Sequence, residues 1–314
     1  MRVKRVFYHK AIVVLLAICL IAAFPLSSCT KKNVVKDENN LRGIYQGKSL
    51  KADFSLRVNI TDTKKSVFTI ALIDGVFDIS YNSGIYHCTL MSLKVRLDSI
   101  DATMEYDSAN TYSDEAAMVR ITPYSSFLGV TFKATVDSTG NLTSLSGFSQ
   151  VEENIRKSLD DYGNLVVEQA IFAAKEYLDE SVIKMILGFF IGYVPEKSLE
   201  LAENWVYSGK IKAPFMLSTN VTCTFNKLDD GKYIISTAGT LKTAIDEKNY
   251  SGIEYALTGT SESKIYLSKN SEVLRNGSYT ESVTGYCYYT IDGNDVKDTV
   301  TMTRNISFSM REKV

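Results

Sequence analysis

Residues 150–205 are compatible with helix almost throughout, and they lie between two longer regions in which apolar and polar residues alternate. Val151, Ile155 and Leu159 are spaced as on the buried face of an amphipathic helix. The apolar run at 185–194 is too short to span a bilayer, which needs about 20 residues. Because this much apolar surface must be covered, the segment has to pack on the sheet that the flanking regions would form.

The flanking regions predict roughly a dozen β-strands. At 52–60 every second residue is apolar, as in a strand with one buried and one wet face. The same alternation reaches the last strand, where Met302, Ile306 and Phe308 share a face, and turn sequences such as 137–141 separate the strands. We therefore predict an α+β protein, mostly β: a strongly curved antiparallel sheet, an open half-barrel, with the helical insertion 150–194 packed on its concave face.

Local patterns give further predictions along the chain. The alternation at 117–121 predicts a strand, and the polar stretch 98–114 predicts a loop. Ser149 and Glu152 have the spacing of a capping box at the start of the helical segment. Asn276-Gly277 is typical of a two-residue hairpin turn and is predicted to separate two strands.

The N-terminus has the pattern of an export signal. A basic, acid-free start is followed by an apolar run at 11–26 and by Leu26-Ser-Ser-Cys29, which resembles the bacterial lipobox. A short transmembrane anchor and an ordinary cleaved signal are the alternatives. We predict a signal peptide with lipobox at 1–29, lipidation of Cys29, a flexible tether at 30–40, and one β-rich domain at 41–314. This organisation places the protein in the cell envelope of a Gram-negative bacterium, anchored by lipid to the inner or outer membrane.

The charge balance argues against nucleic acid as a partner. The chain has 35 basic and 36 acidic residues, and the first 28 residues contain four of the basic and none of the acidic ones. Their removal leaves 31 basic and 36 acidic residues, a net charge of −5, and no basic run remains. Binding to a phosphate backbone would need the opposite balance.

The sequence offers little for catalysis or for a cofactor. Beyond the signal, His87 is the single histidine, which disfavours a metal site, and its neighbour Cys88 would point to the opposite face of a strand. Acidic pairs such as Asp229-Asp230 fall in predicted turns and helix ends, and the chain has no P-loop and no Gly-x-Ser-x-Gly. Cys223 and Cys287 are predicted either to form a disulfide or to be buried thiols. We predict no catalytic residue, metal or cofactor.

The pattern of the last strand places a charge, Arg304, on the inner face between Met302 and Ile306. A buried charge costs several kcal/mol unless it is paired or hydrated. Arg304 should therefore lie at a cavity mouth, beside an acid, or at a bulge or rim that turns it outward. In the first case it would contact the headgroup of a ligand.

Turn and packing motifs recur between residues 113 and 308: Leu128-Gly-Val-x-Phe132, Val136-Asp-Ser-x-Gly140-x-Leu142, Ser146-Gly-Phe148, and Pro195-Glu-Lys197 before Trp205. Together with the helical stretch they resemble a family of uncharacterised bacterial lipoproteins, common in Bacteroidota and classed as domains of unknown function. The resemblance implies no catalytic residues. The architecture of that family is similar to the lipoprotein-carrier (LolA-like) half-barrel, in which an antiparallel sheet curls around helices and encloses an apolar cavity.

Pattern and resemblance lead to one leading hypothesis and two alternatives. The leading hypothesis is a membrane-anchored, non-enzymatic lipoprotein that binds a hydrophobic small molecule or lipid, through Leu187, Phe189, Phe190, Val194 and Arg304. The first alternative is a structural or assembly lipoprotein with a filled core, which contacts another envelope protein through an exposed edge strand or patch. The second is an envelope hydrolase.

Overall fold

The computed structural model describes residues 41, 47–62, 67–100, 102–197, 199–228, 232–244, 254–268, 272–291 and 293–313. The predicted signal peptide, the predicted lipidation site Cys29 and the predicted tether at 30–40 lie outside the described residues, and so does Asp229-Asp230.

The described strands form one antiparallel sheet of twelve strands, in the spatial order β6-β5-β3-β2-β1-β12-β11-β10-β9-β8-β7, with the short β4 paired to β3. Their bounds are β1 Ser49–Asp62, β2 Val67–Asn82, β3 Ile85–Asp98, β4 Thr103–Asp107, β5 Thr131–Val136, β6 Leu142–Ser146, β7 Asn204–Ile211, β8 Leu217–Lys227, β9 Tyr233–Thr243, β10 Glu254–Leu267, β11 Val273–Ile291 and β12 Asn294–Glu312. Since β6 and β7 do not pair, the sheet stays open. The predicted fold class, mostly β with an open curved sheet, is confirmed.

Helices occupy the two connections on either side of β5 and β6. Their bounds are α1 Glu115–Ser125, α2 Phe148–Ser158, α3 Asn164–Leu178 and α4 Glu180–Ile191, with a 3₁₀ turn at Asp160–Tyr162. Gly163 separates α2 and its 3₁₀ turn from α3. The Asp179 side chain accepts a hydrogen bond from the Val182 amide and caps α4, and Gly192 ends α4 in an extended conformation. Helix α4 is therefore a separate unit bounded by extended residues.

Helix α4 covers the opening of the sheet. It packs against the central strand β12 and also against both edge strands, β6 and β7. The segment after α4 continues this bridge, because the amides of Tyr193 and Glu196 donate to the carbonyls of Gly140 and Ser138 in the β5–β6 turn. A Cβ atom at Gly140 would lie 2.8 Å from the backbone nitrogen of Val194, so this close approach needs glycine. The predicted packing of the helical segment on the concave face is confirmed.

Several local predictions are wrong, and a side-chain cap explains the first of them. Residues 117–121 are helical because Asp114 caps α1 through the Ala117 amide at 2.8 Å, and α1 then packs on α3. The helical insertion begins at Phe148, with Gly147 as its N-cap and no side-chain capping bond, so the capping box at Ser149 and Glu152 does not form.

Two strand boundaries also differ from the prediction. The polar stretch 98–114, predicted as a loop, contains strand β4. Asn276-Gly277 lies inside β11, where it pairs with β10 and β12. A Cβ atom at Gly277 would lie 2.1 Å from the Lys264 carbonyl oxygen. Glycine is therefore present because the neighbouring strand approaches closely. An isolated glycine within a strand can mark such an approach as well as a turn or bulge.

Candidate functional site

An aromatic cluster joins α4 to the concave face of the sheet. The ring of Phe189 lies 5.2 Å from the rings of Tyr279 and Phe308 and 5.5 Å from that of Tyr193, and Phe190 meets Phe308 edge-on at 5.8 Å. Aromatic pairs at such distances contribute about 0.5–1.5 kcal/mol each beyond their burial. Because the cluster takes rings from both α4 and β11–β12, it fixes the helix over the middle of the sheet.

The residues predicted to bind a ligand lie along this same interface. Leu187, Phe189 and Phe190 are fully buried, and Val194 and Arg304 are no more than 2% exposed. In the structure protein atoms cover them, since α4 lies directly on the sheet. Their placement on the concave face agrees with the sequence pattern, and their role in binding stays a prediction.

Arg304 forms a buried ion pair with Glu281, the residue opposite it on β11. Its Nη1 lies 3.1 Å from Oε2 of Glu281, and its Nη2 donates to the carbonyl oxygen of Ala213. Arg304 is 1% exposed and Glu281 0%, and the register of β11 with β12 is unbroken at this point. Of the alternatives for Arg304, the neighbouring acid is the one observed, and the bulge or rim is wrong.

The ion pair is part of a small polar network inside the sheet. The Tyr279 hydroxyl donates to Oε2 of Glu281 at 2.7 Å, and burial raises the pKa of that phenol. Met185 of α4 places its Sδ atom 3.9 Å from Nη1 of Arg304. Oε2 of Glu281 thus accepts two hydrogen bonds, whereas Oε1 of Glu281 and Nε of Arg304 have no partner among the described residues. Leaving such a buried group unsatisfied costs about 1–3 kcal/mol, and more for charged groups, so these two atoms require an explanation.

A second inward arginine holds the C-terminal end of α4. Arg275 on β11 donates from Nη1 to the carbonyl oxygen of Phe190 at 2.8 Å and from Nη2 to that of Gly192 at 2.7 Å. The last carbonyl groups of a helix have no partner within the helix and carry partial negative charge, so a guanidinium suits them. Arg275 and Glu281 were not among the predicted site residues, although both follow the two-residue period of Tyr279 and Val283.

The N-terminal end of α4 is attached to the interior as well. Ser181 donates to Asp179 at 2.6 Å and accepts from the backbone amide of Lys212 at 2.7 Å, in the β7–β8 loop that also supplies the Ala213 carbonyl to Arg304. Burial raises the pKa of the Asp179 carboxyl, and the nearby charge of Arg304 opposes that shift. Both ends of α4 are therefore held by polar contacts within the curved sheet.

The remaining candidates for chemistry do not converge. Cys88, Cys223 and Cys287 are buried thiols, so the predicted alternative of a bridge between Cys223 and Cys287 is wrong. Burial raises the pKa of the Cys223 thiol to about 12 and also raises that of Cys88. Within the described ranges, no group of three or more His, Cys, Asp or Glu side chains could hold a metal ion. No described helix is long and apolar enough to cross a membrane.

Comparisons with known proteins identify a family and no activity. No curated protein matches the chain. Similar solved structures include OccK5 (OpdH) of Pseudomonas aeruginosa, at 6% identity over 86% of this chain and 99% of that one, with a TM-score of 0.18. They also include OpdQ of the same organism, at 9% identity over 86% of this chain and 100% of that one, with a TM-score of 0.17. A mutant porin of Rh. blastica has 7% identity, 84% and 100% coverage and a TM-score of 0.14. TM-scores this low do not indicate a shared fold, so nothing is inferred from these structures. Residues 83–273, more than half of the chain, match the model of a family of unknown function, DUF6263, and the chain belongs to that family.

Proposed function

We propose that this protein is a non-enzymatic binding protein for a hydrophobic or amphiphilic small molecule, anchored to the membrane of the cell envelope through a lipid at Cys29. The ligand would lie between α4 and the concave face of the sheet. The observation that carries the proposal is the ion pair of Arg304 and Glu281, which is buried on a mostly apolar face with one donor and one acceptor unsatisfied. Polar groups of this kind in an apolar pocket orient ligands.

The construction of α4 supports the same proposal. The proposal requires α4 to move as a unit about Asp179 and Gly192, which bound the helix with extended backbone. The contacts of Ser181 and Arg275 at its two ends would have to break for α4 to move. Displacing it would uncover the face that Phe189 and Phe190 now fill. An alkyl chain gains about 0.8 kcal/mol for each methylene that it buries, so a chain of about 16 carbons gains about as much as five large side chains.

Native mass spectrometry of the purified protein tests this proposal. The chain would be expressed in a Gram-negative host, transferred from membranes into amphipol, and incubated with envelope lipid extract. We expect a stoichiometric small-molecule adduct that Phe189→Trp reduces at least tenfold, because the larger ring overfills the site. Phe172→Trp, an exposed position on α3, is the matched control and should leave the adduct unchanged. Protein that stays bare after incubation would refute the proposal.

A second candidate function, contact with another envelope protein, is supported by strand β7. This strand pairs with β8, and no described strand pairs with its other side. Its Val206 side chain is 62% exposed. An unpaired edge with exposed apolar residues is a template for a strand of a partner. Cross-linking in the native envelope would test this, since a partner that binds at this edge should be lost with Val206→Lys and retained with Val273→Lys, an exposed valine on β11.

A further inference from the structure

We infer that the ion pair of Arg304 and Glu281 selects an uncharged headgroup that carries hydroxyl groups, in preference to a carboxylate or phosphate. The inference rests on the proposed function and names the class of ligand for the same site. A buried arginine beside an apolar face would by itself favour an anionic lipid. The partners of Arg304 reverse that expectation.

The charge of Arg304 is already balanced. Oε2 of Glu281 lies 3.1 Å from Nη1 of Arg304, and both side chains are almost fully buried, so no solvent screens the pair. Asp179, at the start of α4, adds a second carboxyl within electrostatic range of Arg304. An anionic headgroup that approached Arg304 would therefore also approach one or two carboxylates, and the repulsion would cancel the attraction.

The atoms of the ion pair that lack a hydrogen-bond partner also favour an uncharged headgroup with hydroxyl groups. Nη2 of Arg304 is bound to the Ala213 carbonyl, and Oε2 of Glu281 is bound to Nη1 of Arg304 and to the Tyr279 hydroxyl. What remains is one acceptor, Oε1 of Glu281, and one donor, Nε of Arg304. A headgroup with two hydroxyls donates to the first and accepts from the second, whereas a carboxylate or phosphate dianion has no proton to donate. The site therefore fits an acylglycerol-type or other alcohol headgroup.

The experiment compares two probes with the same chain, monooleoylglycerol and oleate. Binding of each would be measured by radioligand titration of the full protein in amphipol at pH 8. We expect monooleoylglycerol to bind at least tenfold more tightly than oleate. In Glu281→Gln the carboxylate is replaced by an amide of the same shape, the charge of Arg304 is uncovered, and oleate should bind at least as tightly as monooleoylglycerol. Glu262→Gln makes the same change at an exposed position of β10 and should keep the wild-type preference.

A second variant covers the case in which Glu281→Gln fails to fold. The double variant Glu281→Leu/Arg304→Met replaces the pair by apolar side chains, and it should bind both probes within about threefold of each other. Wild-type protein that binds oleate as tightly as monooleoylglycerol would overturn the inference and leave the proposed function standing. A tenfold preference that survives in the double variant would also overturn the inference. Failure of both probes to bind would overturn the proposed function and the inference with it.

Discussion

Replacing Glu281 by leucine would leave the guanidinium of Arg304 buried without its carboxylate. Arg304 is 1% exposed, so water cannot compensate for the loss. Removing one partner of a buried pair costs about 3–5 kcal/mol, and the Tyr279 hydroxyl, which donates to Glu281 at 2.7 Å, loses its acceptor as well. We therefore expect Glu281→Leu to lower the free energy of unfolding by about 4 kcal/mol.

The double variant Glu281→Leu/Arg304→Met should recover most of this loss. Replacing both partners of a buried pair by apolar residues is often neutral or stabilising. Because the Tyr279 hydroxyl stays without its acceptor, we expect the double variant to lie within about 2 kcal/mol of wild type. The free energy of unfolding and the coupling energy follow from urea denaturation of the two single variants, the double variant and wild type.

The matched control is Glu262→Leu, the same change on the exposed outer face of the sheet, which should alter the free energy of unfolding by about 0.5 kcal/mol or less. The reasoning would be refuted if Glu281→Leu cost less than about 1 kcal/mol. It would equally be refuted if the double variant lost the sum of the two single losses, because the two residues would then act independently.

Three further predictions concern the attachment of α4, the sheet and the buried thiols. Arg275→Met removes two hydrogen bonds to the carbonyls at the end of α4 and should raise the rate of amide hydrogen exchange in α4 at least tenfold relative to β1. Gly277→Ala should cost at least about 3 kcal/mol in urea denaturation, because its Cβ would lie 2.1 Å from a backbone oxygen, whereas Gly209→Ala, with ordinary contacts at 3.6 Å, should cost less than about 1 kcal/mol. Cys223 should stay unmodified by iodoacetamide at pH 8 in the folded protein, because its thiol is buried and protonated. Its pKa rises from 9.0 to about 12 on folding. Its contribution to the free energy of unfolding should therefore be complete below pH 9 and decrease as the pH rises toward 12. A reactive Cys223, or stability that increases over that range, would contradict this last prediction.

The sequence predicts the parts of the fold that depend on the period of apolar residues. Alternation identified the strands on both sides of the helical insertion, whereas the capping box predicted at Ser149 and Glu152 does not form. The strand predicted at 117–121 failed because three alternating apolar residues also occur on a short amphipathic helix, and the cap at Asp114 decided between the two. Local sequence patterns therefore predict an element correctly where its conformation depends on its own residues.

The candidate site was predicted less completely, because it depends on pairing between distant strands. Arg304 was placed correctly on the inner face, but its partner Glu281 was not recognised, although Tyr279 and Val283 share its face. Because Asn276-Gly277 was predicted to be a turn, Arg275 was not assigned to the same strand as Glu281. Its contact with the end of α4 was therefore not predicted. Gly277 is required because the backbone of β10 approaches it closely. The residues next to Gly277 in the sequence do not indicate this approach.

The pairing of β1 with β12 has a consequence for the order in which the chain folds. These are the first and last described strands, yet they are neighbours in the middle of the sheet, where Asn59 donates to Thr303 across 244 residues. Until β12 has been synthesised, β1 and β11 are both unpaired edges, and the half of the sheet with β1–β6 is separate from the half with β7–β11. Such long-range pairing slows folding, because the entropy of closing a long loop is lost before the contacts form. A chain that stops before residue 294 should therefore expose two apolar sheet edges, and such a fragment is expected to aggregate rather than to persist as a smaller folded protein.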